Sequence, residues 1–99
     1  MANGVIIPSN GGGDWTVINA NLKYKVVNRV VYCKCKSKAG SWVLLGAMPT
    51  GLTCDEGFYY MGYYDGSHIA LAFVNTNGNI AMANCDYDDI EFMLSYPLP

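Results

Sequence analysis

The sequence predicts an all-β fold, a small antiparallel β-sandwich or jelly roll. Three observations lead there. About eight short apolar runs follow one another, several of them alternating apolar and polar residues with period two. Turn signals separate them, among them Asn28-Arg29, Asp65-Gly66 and Asn77-Gly78. No stretch of useful length keeps the 3.6-residue period of an amphipathic helix.

Residues 1–14 read as an arm or linker and residues 15–99 as the folded domain. Pro8, Ser9, Asn10 and the run Gly11-Gly12-Gly13 bury little and lose much entropy when ordered. Val5-Ile6-Ile7 is an apolar piece suited to docking on a neighbour. From Trp15 onward the pattern is strands. Leu22, Tyr24 and Val26 alternate with Lys23 and Lys25, which predicts a half-buried strand. Asn28 tolerates positive φ and suits a tight hairpin corner, although Arg29 is unusual as the second turn residue. The partner strand, residues 30–36, places Val31, Cys33 and Cys35 on one face. Tyr32, Lys34 and Lys36 fall on the other.

Ser37 to Ser41 reads as a turn. Trp42-Val43-Leu44-Leu45 is apolar on both faces, the pattern of a central or interface strand, and Pro49 and Gly51 break it. An aromatic strand, residues 58–64, sends Tyr59, Met61 and Tyr63 to one face and Tyr60 and Tyr64 to the other. Residues 67–75 and 79–84 read as a hairpin. With Asn77-Gly78 as a two-residue turn, Val74 opposes Ala81 and Ala72 opposes Ala83. One face then carries Ala70, Ala72, Val74, Ala81 and Ala83, a flat sheet of small side chains expected to pack closely on another sheet or subunit, and these five form the candidate oligomer interface. The last strand turns Ile90, Phe92, Leu94 and Tyr96 inward, and Pro97 and Pro99 blunt its edge.

At 99 residues one domain is expected, with one core. Charged residues make up 14% of the chain, against roughly 25% in ordinary domains, and 52% is apolar. A short chain this apolar is expected to hide surface against copies of itself. Gly, Asn, Asp or Lys interrupts every apolar run before it reaches the roughly 18 residues of a membrane span, so no membrane insertion is expected. The net charge of −2 argues against a nucleic-acid footprint. Lys23, Lys25, Lys34, Lys36 and Lys38 read as strand faces and turns kept solvated by charge. Met1-Ala2-Asn3-Gly4 lacks the basic and apolar regions of a secretory signal. Assembly in a cytoplasm is therefore expected, with reduced thiols.

No catalytic motif is visible, and a non-enzymatic protein is expected. Cys33, Cys35, Cys54 and Cys85 match a zinc site in number, but Cys33-x-Cys35 lies on a strand rather than a turn. Buried thiols are the favoured reading, over a disulfide or a metal. His68, the sole histidine, adjoins the Asp65-Gly66 turn and reads as a surface or packing residue before a base or a ligand on a symmetry axis. Asp86-x-Asp88-Asp89 lacks the glycine and final glutamate of an EF-hand and reads as a solvated loop capping strand ends. No cofactor or metal is expected. Tyr59-Tyr60-Met61-Gly62-Tyr63-Tyr64 suits contact surfaces and saccharide rings, or a core with a subunit interface.

Five of these features recur in order in one family. They are Trp15-Thr16, the hairpin Tyr24-Lys25-Val26-Val27-Asn28-Arg29-Val30-Val31, the corner Met48-Pro49-Thr50-Gly51, the hairpin Asn77-Gly78-Asn79-Ile80, and the closing Tyr96-Pro97. From Trp15 to Pro97 the chain resembles the C-terminal head of phage tail-fibre and baseplate receptor-binding proteins. Many members carry Gly at the place of Asn28. Often a second proline follows the corner, where Cys54-Asp55 stand here. The resemblance implies a homotrimeric β-sandwich head in the virion tail, joined to other tail or baseplate proteins through its N-terminal side. Its implied partner is a host-surface glycan or protein, bound during adsorption. Tyr60, Tyr64, Asp65 and His68 are the expected contact residues. One alternative is a purely structural trimerisation module. Another is a small glycan hydrolase, which needs a carboxylate pair in a cleft, and Asp86, Asp88, Asp89 and Glu91 form the close acidic group.

Overall fold

The computed structural model describes residues 15–64 and 66–99, residues 62–64 by their backbone alone. The expected arm, residues 1–14, lies outside the described residues. The rest is all-β. In chain order the strands are β1 (Thr16–Asn19), β2 (Leu22–Val27), β3 (Val30–Lys36), β4 (Val43–Ala47), β5 (Phe58–Tyr64), β6 (His68–Val74), β7 (Asn79–Cys85) and β8 (Glu91–Pro97). They form two antiparallel sheets, ordered β1-β2-β3-β8 and β4-β7-β6-β5. The sheets pack face to face as a sandwich. Among the described residues no helix is long and apolar enough to cross a membrane.

Alternation builds the core, as two-sheet packing requires. Leu22, Val31, Cys33, Cys35, Leu94 and Tyr96 point inward from the first sheet. Ala70, Ala72, Val74, Ile80, Met82 and Cys85 meet them from the second. The four cysteines are free thiols inside this core. Burial pushes the Cys33 thiol up to about 12. Cys35 rises further, through burial first and the neighbouring Cys33 second. Both stay protonated and pack as small apolar groups.

The two edges of the sandwich are each closed by a side chain. At one edge, β4 shifts register between Leu44 and Gly46, and β1 shifts between Val17 and Asn19. Asn19 Nδ2 donates to the freed Leu45 carbonyl at 2.7 Å. At the other edge the Tyr60 hydroxyl, on β5, donates to the Ser95 carbonyl, on β8. Tyr96 adds a bond of 2.5 Å from its hydroxyl to the Leu52 carbonyl.

The β2–β3 corner is a two-residue turn with both Asn28 and Arg29 at positive φ (52° and 63°), the type I′ geometry that matches strand twist. Arg29 holds it despite its poor propensity. The β6–β7 hairpin differs from expectation. Gly78 N–H donates to the Asn75 carbonyl and Asn75 N–H to the Asn79 carbonyl, each at 2.9 Å. The loop therefore has three residues, with Gly78 at φ 96°. Asn75 Oδ1 draws the turn forward by accepting from Asn77 N–H. Val74 thus opposes Ile80 and Ala72 opposes Met82, a slip that reverses the faces of the turn-proximal part of β7. A bulge at the Leu71–Ala72 step then restores the register of a two-residue turn, with Leu71 opposite Asn84 and Ala70 opposite Cys85. Of the two readings for residues 42–45, the central strand is corrected: β4 is an edge strand paired only with β7, with Trp42 and Leu44 exposed.

Candidate functional site

Antiparallel connectivity gathers four loops at one end of the sandwich, whose described residues are 20–21, 37–42, 66–67 and 86–90. Ser37, fully buried, fixes this end. Its hydroxyl donates to the Tyr87 carbonyl at 2.6 Å and accepts from Ile90 N–H at 2.9 Å. Asp86 Oδ1 accepts from Ile69 N–H at 3.1 Å, and Asp88 Oδ1 from Ala39 N–H at 2.8 Å. Two of the three loop aspartates thus tie neighbouring backbone in place. Among the described residues no group of three His, Cys, Asp or Glu side chains is arranged to hold a metal ion.

His68 opens β6 at this end. Its Nδ1 lies 3.3 Å from Asp86 Oδ2, and its ring stacks on Tyr87 at 4.6 Å between centroids. Tyr87 is exposed. Sequence reasoning missed Tyr87, a lone tyrosine among aspartates whose register against β6 only the fold supplies. Tyr64 pairs with His68 through the backbone, so two of the expected contact residues do meet. Asp65 lies outside the described residues, as does the side chain of Tyr64. Tyr60 is a correction. It turns inward against Phe58, and its hydroxyl is committed to Ser95. Burial raises its phenol above the ordinary value, with Cys33 and Cys54 adding to the rise.

The outer face of β1-β2-β3-β8 carries a cleft of about 640 Å³ beside the residue 20–21 turn. One cross-strand row runs through it: Val17 opposite Lys23, Lys23 opposite Lys34, and Lys34 opposite Met93. Lys36 stands opposite Glu91 in the next row on that face. Lys34 Nζ lies 4.6 Å from the Trp15 ring centroid, and Lys25 Nζ 5.1 Å from it. The sequence showed the alternating lysines. Their alignment into one row needed the register.

The outer face of β4-β7-β6-β5 is apolar. Its central row is Leu44, Ala81, Phe73 and Tyr59, in register across all four strands. Trp42 stands edge-on to Phe73 at 5.8 Å, and Tyr59 packs on the other side of Phe73 at 4.6 Å. Trp42, Leu44, Tyr59 and Met61 are 59%, 53%, 61% and 60% exposed. Trp42 sits at φ 57°, a conformation that costs a bulky residue energy and is retained where surroundings hold it. The expected alanine face is corrected here. Ala70, Ala72 and Val74 are buried in the chain's own core, and Ala81 and Ala83 lie on the opposite, outer face. The hairpin slip turns Ala81 outward and Ile80 and Met82 inward, while the packing of the two sheets buries Ala70, Ala72 and Val74.

The chain matches no protein-family model, no curated protein and no solved structure in comparison with known proteins.

Proposed function

We propose that this chain is a non-enzymatic head domain that trimerises and binds a host-surface receptor, as phage tail-fibre and baseplate heads do. The observation that carries the proposal is the outer face of β4-β7-β6-β5. Four large apolar side chains stand more than half exposed on one face, around Phe73. Contiguous exposed apolar surface of this kind marks association sites. A sheet face that meets copies of itself around an axis leaves the loop ends free. The receptor then meets the end that carries His68, Asp86 and Tyr87. Three such ends on one head multiply a weak affinity by avidity. In this scheme the chain belongs to a virion tail, with its N-terminal side toward other tail or baseplate proteins.

The test is a glycan array probed with the assembled protein and with Tyr87→Ala. Saccharide binding that weakens in the variant supports the proposal. An intact trimer that binds nothing favours the purely structural module instead.

A further inference from the structure

We infer that the cleft on the outer face of β1-β2-β3-β8 binds an acidic saccharide, through Lys23 and Lys34 with Lys36 beside them. This names the receptor class, extends the receptor contact from the loop end onto the sheet face beside the residue 20–21 turn, and rests on the receptor-binding proposal.

Three of the chain's six cationic side chains line the cleft, against one of its eight carboxylates, Glu91. A chain of net charge −2 has thus gathered positive charge in one concavity. Lys23 and Lys34 stand directly opposite each other on neighbouring strands. Like charges in that position repel. Among the described residues no ion pair neutralises Lys23, Lys34 or Lys36. The Trp15 indole holds the Lys34 ammonium in place. An anion seated between the two ammonium groups removes the repulsion and gains two charge-assisted bonds.

The rest of the row selects the kind of anion. Val17 and Met93, both exposed, end the row on either side. Four strands at sheet spacing make the row about 14 Å long. A lone phosphate leaves the apolar ends unused. A sugar chain lays its C–H faces on Val17 and Met93 while its carboxylate or phosphate meets the lysines. Charge complementarity and the apolar ends together fix the occupant.

Isothermal titration calorimetry with the full chain tests this, using trigalacturonic acid, galactose 6-phosphate and neutral galactotriose. The acidic probes are expected to bind at least tenfold more tightly than galactotriose. The carboxylated and phosphorylated probes separate the two sources of the negative group. Lys23→Gln and Lys34→Gln are expected to weaken binding at least tenfold each, and Lys38→Gln, outside the cleft, to leave it unchanged. Raising sodium chloride to 0.5 M is expected to weaken it as well, by screening. Without ligand, Lys23→Gln is expected to melt no lower than the parent, because the repulsion is gone. A lower melting temperature would assign the lysine to the fold and overturn the inference. Equal binding of polyglutamate or a DNA oligonucleotide would overturn the saccharide assignment. Binding of neutral glycans or bacterial cells that ignores the lysine variants overturns the cleft and leaves the receptor proposal standing. No binding to any saccharide or cell overturns both.

Discussion

The Tyr60 hydroxyl on β5 donates to the Ser95 carbonyl on β8, so one side chain bridges the gap between the two sheets. Asn19 does the same for β1 and β4 through the Leu45 carbonyl. Each open edge of the sandwich is therefore latched once. Tyr60→Phe removes a half-buried bond and leaves the carbonyl unsatisfied. Its expected cost is about 1–2 kcal/mol in urea unfolding. Asn19→Ala is expected to cost a similar amount. The two sites lie at opposite edges, so the double variant should show the sum.

Gly46 is where the bulged edge of β4 comes closest to β1 and β2. A Cβ there would lie 2.8 Å from Leu22 Cδ2 and 3.1 Å from Asn19 Nδ2. Gly46→Ala must move the Leu22 side chain or the latch. The expected loss is about 1–3 kcal/mol, the usual scale of overpacking, with a matching fall in melting temperature. Gly51→Ala is a useful contrast, since a Cβ added there would meet no other residue within 4 Å. Its φ of 94° alone is expected to make it unfavourable.

The cysteines make stability fall on the alkaline side. Cys33 is held protonated up to about 12 by burial, against an ordinary value of 9.0. Cys35 is raised by the same cause. In the unfolded chain both ionise above pH 9 and in the folded chain they do not, so the folded state binds more protons there. Their contribution is complete below pH 9 and is lost as pH rises toward the folded value. The expected slope is about 1.4 kcal/mol per pH unit for each thiol. Urea titrations between pH 7 and 10.5 measure it, and a flat profile would contradict the burial.

All four thiols are also expected to resist a disulfide reagent in the folded state. Burial keeps them out of the reagent's reach. A thiol assay should count none without denaturant and four with it. Prompt modification of Cys54 alone would show that the loop around it opens.

How much of this was legible follows from period two. Strands need only alternation and turns, and Leu22 to Lys36 carried both, so that hairpin emerged from sequence with Leu22, Val31, Cys33 and Cys35 inward, although Lys25 and Tyr32 are buried and Val26 is exposed against the alternation. The β6–β7 faces did not. Asn77-Gly78 fits a two-residue turn and a three-residue turn alike. The choice lies with Asn75, whose side chain and backbone close the longer loop. One residue of slip moved only β7: Ala81 came to the outer face beside Phe73, and Ile80 and Met82 went inward opposite Val74 and Ala72. A two-residue corner at Asn28-Arg29 already sets Lys23 opposite Lys34, whereas the pairing with β1 and β8 that extends the row to Val17 and Met93 came only with the fold. Tyr60 was legible as inward or outward only once the edge partner of β5 was known.

The most direct test of self-association is solution mass by sedimentation equilibrium, for the parent and for a Trp42→Ser, Leu44→Lys double variant. The parent is expected at three times the chain mass of 10.8 kDa. The variant, altered only at exposed side chains, is expected at the single-chain mass with an unchanged circular dichroism spectrum. A parent that stays at 10.8 kDa at every concentration, or a variant that stays trimeric, would contradict the assignment of the β4-β7-β6-β5 face.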